Sequence, residues 1–489
     1  MAKLVHFCST LKEEPLNLKA IIKKNSIPTF IGAYVLFLWL FPNQNQSGDS
    51  YGYAFSMESG NYLTSPHHLL YNWLGYGIAQ IFPGKAMLFM LKINGLLMGL
   101  SLLILNYILT KSTDKRFAFA LTIFCASCFA SLRFASLNET YVIPLFFSLL
   151  GSWFLLKNAH SWKNLLLGFG FMVLAVLFHQ IHIFWLLSWG IIYAIQSRSA
   201  FISFLLSGFI ILAIYLAFAS NTPLSLWHYI TQDVQNGLVT TSIGPEHFIF
   251  TGINSIRTLV QVHGNVFLLL NIYPVLWFLP LLLLSSIILF IRFRKSTKHV
   301  WILDSGLRKS AILAFILHFL WVIYSMGNAE FMLLLPFLGV IAFGKHLRFS
   351  AKSWTLLAVG MGIWNIGFHV IPKNILNDHR NEETRSWLLN KDAKYFVAHD
   401  RTEFTNYMDW KNTCEGEEKS MEIWDYSKDY TLIHREHHSS IYTNMFKYPK
   451  TFNRRAVHEL SITKEMNPAY EISDSLKTWR GSIFLGKLK

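Results

Sequence analysis

Long apolar runs separated by short polar segments occupy the first three quarters of the chain. Eleven of them, roughly 27–42, 86–110, 117–134, 140–156, 163–179, 182–197, 201–220, 265–291, 310–326, 331–344 and 353–371, read as bilayer-spanning helices. About 20 mostly apolar residues cross the hydrocarbon, and somewhat fewer suffice where a helix is kinked or shielded. A shorter run, "HHLLYNWLGYGIAQIF", is polar at one end and predicts a helix lying at the interface, with Tyr71, Trp73 and Tyr76 at headgroup depth. Beyond about residue 372 no stretch is long enough to span. Short apolar runs such as "KYFVAHD" alternate there with polar ones, which predicts a small soluble α/β or α+β domain. The reading is an all-α polytopic membrane protein with an N-terminal segment 1–26, a membrane domain 27–372 containing a first loop 43–85, and a C-terminal soluble domain 373–489.

Composition agrees. Of 489 residues, 53% are hydrophobic and 15% charged, where a soluble protein carries about a quarter charged residues. The net charge of +15 does not imply nucleic-acid binding, because the basic residues are scattered between apolar runs instead of forming one face. Their distribution sets the topology instead. With the N-terminus cytoplasmic, the inside segments hold about twenty Lys and Arg, against four (Lys85, Lys92, Arg133, Arg257) on the outside. The N-terminus is therefore predicted inside and the C-terminal domain outside, and the compact loops suggest a bacterial inner membrane. Four cysteines (Cys8, Cys125, Cys128, Cys414) form no disulfide framework, and Cys125 and Cys128 lie within an apolar helix, where packing is the plain reading. No cleavable signal pattern precedes the first apolar run.

Candidate chemistry collects on the predicted outer side. Ten acidic residues lie before the C-terminal tail, and six of them, Asp49, Glu58, Glu139, Asp233, Glu246 and Glu330, fall there. Carboxylates near hydrocarbon are costly and tend to mark function. The stretches "SGDSYGYAFSMESGNYLTSPHHLLYNWLGYG", "SLNETYVIP", "FHQIHIF" and "SMGNAEFMLLLP" are separated by up to hundreds of residues yet share this side, which predicts an outward-facing cleft.

In these motifs the chain resembles the GT-C superfamily of integral-membrane glycosyltransferases, near the polyprenyl-phosphate-sugar-using branch that includes protein O-mannosyltransferases and aminoarabinose transferases. An acid early in the first outer loop ("SGDSYGYA"), "SPHHLLYNWLG", "NETYVIP" and the late "GNAEFMLLLP" carry the resemblance, over roughly residues 27 to 372. It implies a GT-C-like membrane fold and transfer of a sugar, hexosyl or pentosyl, from a polyprenyl-phosphate donor to an acceptor hydroxyl on a protein, lipid or glycan. The resemblance also implies direct displacement with inversion, and places Asp49 as the general base. Many family members carry two adjacent acids in the first loop. Here Ser50 follows Asp49, so the aspartate acts alone or Glu58 or Glu139 supplies the second carboxylate.

Such a transfer needs a carboxylate to take the hydroxyl proton, donors to meet the leaving phosphate, and sideways access for the lipid. Asp49 also suits a helix N-cap. His67 or His68 can contact phosphate or ligate a metal, with an interfacial or capping role as the alternative, and Tyr71, one turn beyond His67, can share its face. Glu139 can orient a base or hold a cation, or complement a helix dipole. His179 and His182, three residues apart, can join Glu139 or Asp49 around a divalent cation, an open alternative to plain interfacial histidines. Asn328 and Glu330 can contact sugar hydroxyls or cap a helix. Arg257, more than Arg133, is the candidate for the lipid phosphate, with a headgroup anchor as the alternative. In the tail, "HREHHSS" reads as a surface cluster. Two competing readings stand beside this one. A polysaccharide polymerase or ligase would lean on arginines in long outer loops. A lipid or sugar transporter would carry charged, broken helices at the midplane, often in repeated halves.

Overall fold

The structure, a computed structural model, describes residues 26–158, 161–219, 226–228, 243–262, 266–293, 305–344, 349–376, 380–398, 401–416, 421–425, 441–444, 470–478 and 481–488. The segment 1–25, Asp233 and the histidine-rich 434–440 lie outside the described residues.

The chain is predominantly helical. Before the first loop runs α1 (Ser26–Leu40), followed by two short helices of the loop, α2 (Gly48–Ser59) and α3 (Tyr71–Ile81). The bundle continues through α4 (Ala86–Thr110), α5 (Lys115–Ser127), α6 (Phe129–Ala135), α7 (Val142–Lys157), α8 (Trp162–Phe178), α9 (Ile183–Ala194) and α10 (Arg198–Phe218). After α11 (Pro245–Leu259) come α12 (Val266–Ile272), α13 (Phe278–Arg292), α14 (Ser305–Tyr324), α15 (Leu334–Phe343), α16 (Ala351–Asn365) and α17 (Ile371–Ile375). Each predicted apolar run coincides with helix, and the interfacial run forms α3. By length and apolar composition five helices among the described residues can cross a membrane, or six if α5 and α6 are one bent span; five further apolar helices have 10–17 residues.

Three runs that read as continuous are interrupted. The run 117–134 bends by 62° between α5 and α6. Cys128 is extended there, and the buried Asn365 amide donates to Ser127 O at 2.8 Å, satisfying a carbonyl the bend frees. The run 265–291 breaks at Tyr273–Pro274 into α12, a 3-10 turn and α13, because proline cannot donate to the preceding turn. The run 353–371 passes from α16 through a π turn, Ile366–Val370, into α17.

Helix packing uses small residues. Where α7 crosses α8, a Cβ on Gly151 would fall 2.6 Å from Gly168 O, so no side chain fits between the two backbones. The core of aromatic and branched residues runs through α4, α7, α9 and α15, with Trp185, Trp189 and Phe337 fully buried. By contrast α10 shows one side outward, with Phe209 67% exposed, as suits a lipid-facing helix.

The C-terminal domain adds α18 (Arg380–Asn390), β1 (Tyr395–Ala398), α19 (Arg401–Glu415), β2 (Glu422–Asp425), β3 (Ile441–Thr443), β4 (Tyr470–Thr478) and β5 (Gly481–Leu488). The sheet order is β2-β1-β3-β5-β4; β1 pairs in parallel with β2 and β3, and β5 pairs antiparallel with β3 and β4. Helix α17 is tied to the first loop: Gln44 N donates to Lys373 O at 3.2 Å and the Asn374 amide to Pro42 O at 2.9 Å.

Candidate active site

Four sequence-distant segments meet where the first loop enters α2. Ser47 caps α2, accepting from Ser50 N at 3.1 Å, and its hydroxyl donates to Glu139 Oε1 at 2.5 Å. The Ser50 hydroxyl reaches the same oxygen at 3.3 Å. Asn138 completes the clamp: its amide donates to Ser50 O at 2.8 Å and its backbone N–H to Gln46 Oε1 at 3.0 Å. Behind it, Tyr71 OH donates to Asn138 Oδ1 at 2.8 Å, and Asn94 donates to Leu137 O and Glu139 O at 2.8 and 3.0 Å. Asp49 therefore sits, exposed, in the first turn of a helix whose start is bolted to the 137–139 turn.

Glu139 is buried, and its carboxyl is raised to about 8. Burial is the main cause, since desolvation disfavours the anion; Glu330 and Asp49 add to it, while the Ser47 bond and Arg133 work against it.

Glu330 arrives from a tight turn after α14. Met326 and Gly327 both adopt positive φ, 55° and 67°, and a Cβ on Gly327 would fall 2.5 Å from Thr251 N. Only glycine permits that approach of the turn to α11. Asn254 then donates to Gly327 O at 2.7 Å, and Asn328 caps Glu330 N at 3.0 Å. So held, Glu330 accepts from Tyr141 OH at 2.9 Å and lies 4.0 Å from the Arg133 guanidinium.

Two arginines complete the charge pattern. The bend before α6 brings Arg133 to this end of the bundle, where it lies over the Phe134 ring at 5.0 Å. Arg257 comes from α11 and lies over Phe129 at 5.8 Å, with its Nε buried and without a hydrogen-bond partner among the described residues. Burial, then Arg133, lowers it to about 10 against the pull of Glu330, so it is still cationic at neutral pH.

A cavity of about 800 Å³ adjoins the cluster. Its polar end is formed by Tyr53, His67, His68, Tyr141, His179 and Glu330, and its apolar wall includes Ile211 and Leu212 of α10. Gln180 hydrogen-bonds the His67 ring, and Gln180 N donates to His67 O at 2.9 Å, which ties the first loop to the turn after α8.

The sequence-predicted residues separate into three groups. Asp49, Glu139, Arg257 and Glu330 converge with Arg133. His67, His68, His179 and Asn328 line the cavity. Glu58, Tyr71 and His182 have other partners: both Glu58 oxygens accept backbone N–H groups, from Gly84 and Ala86 at 2.8 Å, and so start α4. Of the two carboxylates considered beside Asp49, Glu139 shares Ser47 and Ser50 with the start of α2, whereas Glu58 holds the 84–86 turn.

His179 and His182, whose spacing left a divalent cation open, have different neighbours. His179 faces the cavity against Tyr141, with ring centroids 4.9 Å apart, whereas His182 Nδ1 is engaged by the Ser148 hydroxyl at 2.7 Å. The short helical turn between them directs the two rings to different neighbours. Among the described residues no group of three or more His, Cys, Asp or Glu is placed to hold a metal ion.

Sequence reasoning passed over Ser47, Ser50, Tyr53, Asn138 and Tyr141. Tyr141 had a signal, standing two residues after Glu139 in "NETYVIP"; the serines had none, since their partner lies 92 and 89 residues away.

Comparison with protein-family models and with curated proteins gives no match. Among solved structures, ArnT from Cupriavidus metallidurans bound to undecaprenyl phosphate aligns with a TM-score of 0.53 at 11% identity, over 94% of this chain and 97% of that one. The apo state of the same protein aligns with a TM-score of 0.42 at 11% identity, over 95% and 98%. The first likeness shows that the chain shares the fold of ArnT along nearly its whole length. With its apolar helices, this makes it a multi-pass integral membrane protein.

Proposed function

We propose that the chain is a membrane glycosyltransferase that moves a sugar from a polyprenyl-phosphate donor to an acceptor hydroxyl on the extracytoplasmic face of a bacterial inner membrane. The carrying observation is the convergence of Asp49, Glu139 and Glu330 with Arg133 and Arg257 beside a cavity walled on one side by α10. The shared fold with a protein solved with undecaprenyl phosphate supports the same donor class.

Asp49 takes the proton of the acceptor hydroxyl as that oxygen bonds to the anomeric carbon. The bond from that carbon to the phosphate oxygen breaks, the electron pair leaves with the phosphate, and the sugar carbon inverts. General-base help of this kind contributes about 10²–10⁴-fold. Arg257 and Arg133 meet the phosphate, where a guanidinium matches oxygen geometry in a water-poor site. Glu139 orders the helix that presents the base. Glu330 holds Tyr141 and Arg133 in place, and His68, His179 and Asn328 offer hydrogen bonds to sugar hydroxyls. The lipid chain enters along α10, whose outward side faces the bilayer.

The experiment supplies purified protein with a polyprenyl-phosphate sugar and candidate acceptors. Release of polyprenyl phosphate together with a glycosylated acceptor of inverted configuration is expected. Retained configuration, or passage of uncleaved donor across a vesicle without bond breakage, would overturn the reading.

A further inference from the structure

The helix that carries Asp49 has a second face, and the C-terminal domain covers it. Helix α19 lies against α2 at backbone distance. A Cβ on Gly48 would fall 3.1 Å from Glu403 Cα, and one on Gly52 would fall 2.8 Å from Asn406 Nδ2. Through this gap the Asn406 amide donates to Gly48 O at 2.9 Å. One turn along, buried Tyr51 packs edge-on against Tyr407 at 5.2 Å and tilts over Trp410 at 5.4 Å. The seat is itself anchored, since Arg380 and Asn381 grip Glu403 at 2.6 and 3.0 Å.

The residues around Asp49 are thus held from two sides. Ser47 and Ser50 are bound to Glu139 in the membrane domain, and Gly48 is bound to Asn406 in the C-terminal domain. Asp49 itself stays exposed between them. A base must sit within hydrogen-bond reach of the proton it takes, and a misplacement of ~1 Å can cost about 100-fold in rate.

We propose that α19 positions the base: Asn406, acting through Gly48 and the glycine-lined contact, holds the first turn of α2 where Asp49 can work. The inference rests on the glycosyltransferase reading for its catalytic consequence, but not for its structural one. The C-terminal domain is on this account a working part of the transfer centre, and Asn406 is a positioning residue.

Two variants attack the same hydrogen bond. Asn406→Ala removes the donor, while Gly52→Ala pushes the Asn406 amide aside with a methyl group. Hydrogen exchange on the full-length protein reads the placement directly: amides 48–55 exchange faster in both variants, and those of α7 and α8 stay as in wild type. Kinetics read the consequence: kcat falls by about 10–100-fold while donor KM holds, and the double variant is no worse than Asn406→Ala, because both changes delete one contact. Gly170→Ala, at a helical glycine with nothing within 4 Å, leaves both readouts unchanged. Unchanged exchange at 48–55 overturns the inference whatever the enzyme does. Faster exchange with full kcat overturns the catalytic role of Asn406 and leaves the glycosyltransferase reading standing. A wild-type protein that transfers no sugar overturns that reading alone, and the exchange result still judges the placement.

Discussion

A carboxyl buried like that of Glu139 is governed by its surroundings. Its ordinary value is 4.5 and in the folded protein it is raised to about 8, chiefly by burial. The sign follows from linkage: the folded state binds this proton more tightly than the unfolded state does. The group's contribution to stability is therefore complete below about pH 4.5 and is lost as pH rises through about 8. Glu139→Gln keeps an acceptor for Ser47 and removes the ionisation. Its melting temperature is expected to fall less than that of wild type between about pH 5 and about pH 9 in detergent; parallel curves would show that Glu139 does not carry this proton. Arg257 makes a different prediction. A hydrogen bond to a charged group is worth about 1.5–3 kcal/mol, so Arg257→Ala should weaken polyprenyl-phosphate binding by roughly ten- to hundredfold. Arg257→Lys should recover only part of that, because an ammonium lacks the planar fork. Equal binding by all three proteins, read with radiolabelled polyprenyl phosphate, would remove Arg257 from the phosphate site.

At the scale of elements, the length of the apolar runs was enough to locate the helices, since a run such as 86–110 has few other ways to satisfy its backbone in a bilayer. It could not reveal where a run breaks. The bend at Cys128 leaves no mark in "TIFCASCFAS", because the compensating donor is Asn365, 238 residues away. That single side chain donates to Ser127 O and Leu259 O and accepts from Gln261 N, each at 2.8 Å, joining α5, α11 and α16. Asn365→Ala strands all three groups in a buried setting. At about 1–3 kcal/mol for each buried unsatisfied group, the variant should melt well below wild type, as followed by tryptophan fluorescence; an unchanged melting temperature would mean the bend does not depend on that amide. The site was legible to a similar depth. Charge and position singled out Asp49, Glu139, Glu330 and the two arginines, because charged groups are scarce in such a chain. The neutral residues that align them, Ser47, Ser50 and Tyr141, are common types whose role exists only through contacts across the fold. Glu58 and His182 show the converse: each stood in a promising pattern, and each is occupied by structural partners, the 84–86 turn and Ser148.

Across the whole molecule, the cluster around Asp49 joins two parts that composition separates. The apolar bundle supplies Glu139, Glu330, the arginines and the cavity, and the C-terminal domain braces the helix that carries Asp49. Cysteines introduced at positions 49 and 330 in an otherwise Cys-free protein should both react with an impermeant reagent from the extracytoplasmic side of intact cells or spheroplasts. Labelling from opposite compartments would break the cluster apart. The most direct test concerns Asp49 itself: single-turnover transfer by Asp49→Asn, with donor binding measured on the same preparation. The role of Asp49 as base predicts a protein that binds polyprenyl-phosphate sugar like wild type and transfers it about 10²–10⁴-fold more slowly. Wild-type transfer by that variant would contradict it.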